Sequence, residues 1–176
     1  MTFKAIIKSI AVAAALAVAL VPASAGAVQS GGLPQPEGPV VVTISGAITH
    51  TNSADGAAFD LAMLEALSGR EAVVETPWYD GVQRFSGPTL KALLDAVGAT
   101  GDTLRVIALN DYSADIPVSD AESYPVILAT RRNGDVMSVR DKGPAFVIYP
   151  FDLVPELYNE MIFHRSVWQV IRIEVE

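Results

Sequence analysis

Apolar residues fall mostly into short β-branched runs or alternate with polar ones, and helical spacing appears only in brief stretches. The segment PVVVTISG, 39 to 46, has the density of β-branched side chains expected of a strand. From Asp55, an N-cap residue type, AAFDLAMLEAL puts Phe59, Met63, Leu64 and Leu67 at helical spacing, and Gly69 stops the helix. EAVVET predicts a second strand. After a Trp-Tyr loop, Ser86 or Gly87 opens a helix with Pro88 in its first turn. Leu90, Leu93, Leu94 and Val97 form its apolar face, and Gly98 ends it.

Beyond that helix the pattern is again extended. TLRVIAL, 103 to 109, reads as a strand that runs into Asn110-Asp111-Tyr112, and SADIPV follows as a short extended piece. YPVILATRR and DVMSVR flank Asn133-Gly134, a strong two-residue hairpin signal. PAFVIYP, 144 to 150, predicts a buried strand, and FDLVPELYNEMIF a short helix or irregular loop. WQVIRIEVE predicts a last strand with Ile171, Ile173 and Val175 on one side. Strands outnumber helices and no repeat occurs, so the class is α+β, with a mixed or barrel-like sheet and a few short helices.

The first residues divide the chain. Lys4 and Lys8 precede an apolar run from Ile10 to Val21, followed by Pro22 and the small residues 23 to 27. Residues 1 to 27 are expected to be a secretory signal peptide cleaved after Ala25 or Ala27, its apolar part too short to span a bilayer. Residues 28 to 38, VQSGGLPQPEG, have linker composition, and 39 to 176 suit a single domain. The expected location is periplasmic or secreted. Of 12 basic residues, the leader removes Lys4 and Lys8, which leaves ten against 20 acids. Such a surface repels nucleic acid and anionic headgroups. The chain has no cysteine, which rules out disulfides, thiolate catalysis and thiolate metal ligation, and its only imidazoles are His50 and His164.

Several segments share a likeness. GPAFVIYP (143 to 150) with HRSVWQVIRIEV (164 to 175) resembles the end of the molybdopterin-binding domain of the sulfite-oxidase family. TPWYDGVQRFSGPTLKALLDAVGA (76 to 99) resembles that family's Trp, Gly and leucine-rich helix, and ALNDYSADIPVSDA (108 to 121) its Gly-Tyr, Ile-Pro region. The resemblance implies that fold and a pterin pocket. In the enzymes a cysteine shortly before the Trp ligates molybdenum. Here the corresponding stretch, Val74 to Thr76, offers Val, Glu and Thr, and a glutamate does not reproduce a soft sulfur ligand. The chain is more similar to small exported members of the superfamily. The likeness implies metal-free binding of a reduced pterin and signalling to a membrane-bound enzyme of cyclic di-GMP turnover.

A pterin needs a plane to stack on and polar groups to read its 2-amino-4-oxo edge. Trp78 and Tyr79 are candidates for the plane, unless one ring packs in the core and the other covers a helix. Asp111 is a candidate for the edge donors, with Asn110 for the carbonyl and Tyr112 beside them; the plain alternative is a strand-end turn. Arg140 and Lys142, next to Gly143, supply either a phosphate contact or a solvated hairpin end. The resemblance places Arg165 and Ser166 where the enzymes hold the cofactor's phosphate, and Arg84 is positioned to join them. His164 is expected at a pocket rim or on the surface.

Other chemistries find less support. Asp80, Asp111 and Asp115 have no fixed separation for glycoside hydrolysis, and Ser113, Ser119 and Ser166 lack a nucleophile elbow. Three functions stay open: a non-catalytic pterin-binding signalling module, a molybdopterin oxidoreductase with Glu75 as ligand, and an interaction domain with a filled pocket. The missing thiol favours the first.

Overall fold

The computed structural model describes residues 32 to 176; the expected leader lies outside them. In chain order the elements are β1 (Val40–Gly46), β2 (Ala57–Asp60), α1 (Leu61–Ala66), β3 (Gly69–Thr76), β4 (Tyr79–Pro88), α2 (Leu90–Val97), β5 (Thr103–Ala108) and β6 (Ser113–Pro117). Then follow α3 (Val118–Ser123), β7 (Ile127–Ala129), β8 (Arg131–Arg132), β9 (Asp135–Val136), β10 (Phe146–Ile148), α4 (Glu160–Arg165) and β11 (Val170–Val175). The α+β class is observed. The barrel-like sheet is not: the described strands divide into three sheets, ordered β2-β1-β11-β5-β6, β3-β4-β8-β9 and β10-β7.

The five-stranded sheet joins the two ends of the domain, because β1 runs parallel to β11 while every other pairing in it is antiparallel. Within β11, Val170, Ile173 and Val175 are buried. Ile171, expected on their side, is 37% exposed, because the register with β5 slips between Val170 and Arg172 and turns it outward.

The helix expected from Asp55 is shorter and starts later. Ala57 to Asp60 are all buried and pair with β1, so their backbone groups are already satisfied by a strand. Asp60 then caps α1, its Oδ1 accepting from the Met63 N–H at 2.8 Å. Its Oδ2 accepts from the N–H groups of Glu37 and Gly38 at 2.8 and 2.9 Å, so the described part of the linker is held against the domain. These backbone donors, Met63 first, keep the Asp60 carboxyl below the usual carboxylate range.

A second boundary also moves. Ser86, Gly87 and Pro88 finish β4, and Thr89 caps α2 by accepting from the Ala92 N–H at 3.1 Å. Leu90, Leu93, Leu94 and Val97 are buried as the spacing predicts, and Gly98 ends the helix in the left-handed conformation. The Asn133-Gly134 turn joins β8 to β9 with both residues at positive φ, as a two-residue hairpin requires.

An aromatic cleft as the candidate functional site

The segment around Trp78 is a β-hairpin rather than a loop leading into a helix. β3 and β4 pair from Gly69–Pro88 to Thr76–Tyr79, so Pro77 and Trp78 form the tip. Three aromatic rings receive the indole of Trp78 edge-on: Phe146 at 5.2 Å, Phe163 at 5.7 Å and Trp168 at 6.2 Å between centroids. Such pairs contribute about 0.5–1.5 kcal/mol each beyond burial. Phe146 is fully buried in β10 and bridges the backbone of Trp168, which fixes the base of the cluster.

A cleft of about 410 Å³ opens over these rings. Trp78, Phe163, Trp168 and Tyr112 stand in its wall with Pro77 and Ala108; the polar groups are Asn110, Ser166, Glu160 and His164. Glu160 and His164 lie one turn apart on α4, which presents both to one side. Asn159 caps that helix by accepting from the Ile162 N–H at 3.2 Å. The Tyr112 hydroxyl donates to the His164 carbonyl at 3.0 Å and ties the loop after β5 to α4 across the cleft. The Ser166 hydroxyl is buried and donates to the Ile162 carbonyl, so it shapes the wall more than it offers a free group.

The residues singled out in the sequence separate. Trp78, Asn110, Tyr112 and Ser166 come together in the cleft. Asp111 takes a left-handed conformation (φ 65°) in the adjoining turn and is not part of the wall. The Asn110 Oδ1 accepts from the Tyr112 N–H at 3.3 Å, the strand-end turn bond that Asn favours. Tyr79 points elsewhere. Its ring lies against Phe85, its hydroxyl donates to the Asp141 carbonyl at 3.1 Å, and the Arg132 guanidinium sits 4.4 Å from the ring centroid. Burial, with the Asp141 charge next, pushes this phenol up to about 12.

The expected phosphate-binding cations do not converge. Arg84 pairs with Glu71 at 2.8 Å on the outer face of the hairpin. Arg165 pairs with Asp120 at 2.9 Å, which also accepts from the buried Tyr149 hydroxyl at 2.7 Å. Of the ten Lys and Arg among the described residues, only Arg140 and Lys142 stand outside any ion pair. Lys142 lies over two rings, 4.9 Å from the Tyr79 centroid and 5.8 Å from that of Trp168. Arg140 is exposed on the short turn beside it.

The stretch where the resemblance expects a molybdenum ligand does not fit that metal. Val74 is a core aliphatic, and Glu75 is exposed away from the cleft, beside Phe151 and Tyr158. Thr76 is buried, with a hydroxyl that has no hydrogen-bond partner among the described residues. None of them is the soft donor that the metal requires.

Phe163, Trp168, Glu160 and His164 complete the cleft, and of these the sequence pointed only to His164, as a rim residue. One signal was present: the chain holds two tryptophans, and both stand in this wall. No protein-family model and no curated protein matches the chain.

Proposed function

We propose that the protein is a non-catalytic binding module that takes a flat heteroaromatic ring, of the reduced pterin class, into this cleft on a sulfite-oxidase-type fold. One observation carries the reading: both tryptophans, with Phe163 and Tyr112, converge on one open cleft whose few polar groups sit on two adjoining segments. Its volume lies in the range of small-ligand sites, and mostly apolar walls with a few polar groups are the usual form of such sites. A pterin stacks against the tryptophan wall, its 2-amino edge donating to the Glu160 carboxylate and its carbonyl accepting from the Asn110 amide.

Support for the rest of the reading comes from the resemblance and the leader-like N-terminus. They favour release outside the cytoplasm and a membrane-bound enzyme of cyclic di-GMP turnover as the partner that senses the bound state.

Calorimetric titration with a reduced pterin tests the site. Trp78→Ala is expected to weaken binding at least about tenfold, which corresponds to about 1.4 kcal/mol. Asn110→Ala and Glu160→Ala are expected to weaken it less, and Asp111→Ala to leave it unchanged. Affinity that survives Trp78→Ala and Glu160→Ala places the ligand elsewhere.

A further inference from the structure

The hairpin that carries Trp78 also has a free edge. Arg84 turns its backbone toward β8: its N–H donates to the Asn133 side chain at 3.0 Å, and its carbonyl accepts from the Asn133 N–H at 2.7 Å. The Ser86 carbonyl likewise accepts from the Thr130 N–H at 3.0 Å. Bonding alternates along an antiparallel strand, so Gln83 and Phe85 are the residues that bond β3, opposite Val74 and Ala72. That leaves the N–H and C=O groups of Glu71, Val73 and Glu75 facing outward. No backbone group among the described residues meets them there, because β3 is the last strand of its sheet.

Beside this edge runs a groove of about 400 Å³, lined by Val73, Val74, Phe151, Pro155 and Tyr158, with Glu75 and Asp152 at its sides. The charge is one-sided. Glu71 and Glu75 lie on the edge strand, Asp152 lies in the groove, and Glu156 follows the groove residue Pro155 in the chain. The two arginines among them, Arg84 and Arg70, are already paired with Glu71 and Asp152. Glu75 and Glu156 have no cation partner among the described residues.

We propose that the β3 edge and this groove dock an extended segment of a partner protein in which apolar and basic residues alternate. Such a segment adds a fifth strand to β3-β4-β8-β9, its backbone bonding Glu71, Val73 and Glu75. Successive side chains then point to opposite faces: apolar ones enter the groove against Phe151 and Tyr158, and basic ones meet Glu71 and Glu75. A second copy of this chain fits poorly. Antiparallel pairing of two β3 strands about Val73 sets Glu71 of one against Glu75 of the other, and like charges directly opposite are destabilising. The site is separate from the aromatic cleft and does not depend on a pterin binding there.

The test uses the intact protein with the synthetic peptide Lys-Leu-Lys-Val-Arg-Leu-Lys and its counterpart with Glu and Asp at the basic positions. Amide hydrogen exchange and chemical shifts are read by NMR. The basic peptide is expected to slow exchange at Glu71, Val73 and Glu75 at least about tenfold, the mark of newly formed backbone bonds, while the two indole N–H signals stay in place. The acidic peptide is expected to do nothing. Val73→Pro, which removes the central edge donor, is expected to abolish the effect, and Glu75→Lys to weaken it while leaving the exchange pattern of the core unchanged. If the proline variant fails to fold, Glu75→Lys decides alone. Equal protection by both peptides, no protection by either, or protection that rises with protein concentration alone overturns the proposal.

Discussion

Tyr79 is held by burial, by its bond to the Asp141 carbonyl and by the Arg132 and Lys142 cations over its ring. Its raised pKa has a consequence for stability. A phenol that ionises near 10 in the unfolded chain and near 12 in the folded one stabilises the fold fully below pH 10 and loses that contribution as pH rises toward 12. Tyr79→Phe is therefore expected to remove a late step from the spectrophotometric phenolate titration and to flatten the alkaline limb of the stability curve. Asp60 works in the opposite direction. Its carboxyl is depressed, so its contribution is complete above the ordinary carboxylate range and disappears as pH falls through the lower folded value. Asp60→Asn should lower stability at neutral pH and flatten the acid limb, as followed by urea denaturation across pH. At this scale the sequence was informative about residue type and silent about direction. It marked Trp78 and Tyr79 as a pair, but a hairpin tip sends the first ring into the cleft and leaves the second on the Arg132 side.

Among elements, α2 shows what periodicity reveals and what it misses. Its four buried residues follow from the spacing of Leu90, Leu93, Leu94 and Val97, and Gly98 marks its end. Its start depended on which of Ser86, Gly87 and Thr89 supplied the cap, and pairing of Ser86 with Arg131 in β8 drew the first two into a strand. Thr89→Ala should lower stability by about 1 kcal/mol in denaturant titration without changing ligand affinity. In the same way Phe59 fits a helical face in sequence, yet pairing of Ala57 to Asp60 with β1 wins because it satisfies their backbone groups in the core. A slip of one residue in β11 exposes Ile171 against simple alternation, and nothing local encodes it.

For the whole molecule, the α+β class was legible because strand and helix periods differ, whereas the division into three sheets depends on pairings distant in the chain. The cleft lies between a hairpin tip, the turn after β5 and the segment leading into β11, whose proximity is a product of the fold. Of the cations expected around it, Arg84 and Arg165 meet carboxylates nearer to hand, while Lys142 lies over the ring of Trp168. Phe146 holds the wall from beneath, in contact with Trp78, Phe85 and Trp168. Phe146→Ala should cost about 3–5 kcal/mol of unfolding free energy and weaken binding at the cleft in the fraction that remains folded.

Both tryptophans of the chain stand in that wall, so intrinsic fluorescence reports on the cleft without a label. Titration of the purified protein with a reduced pterin is predicted to change the tryptophan emission saturably, with one ligand bound per chain. Trp78→Phe and Trp168→Phe should each remove part of that change. Emission that follows only the optical absorption of the added pterin, with no saturation, would contradict the account.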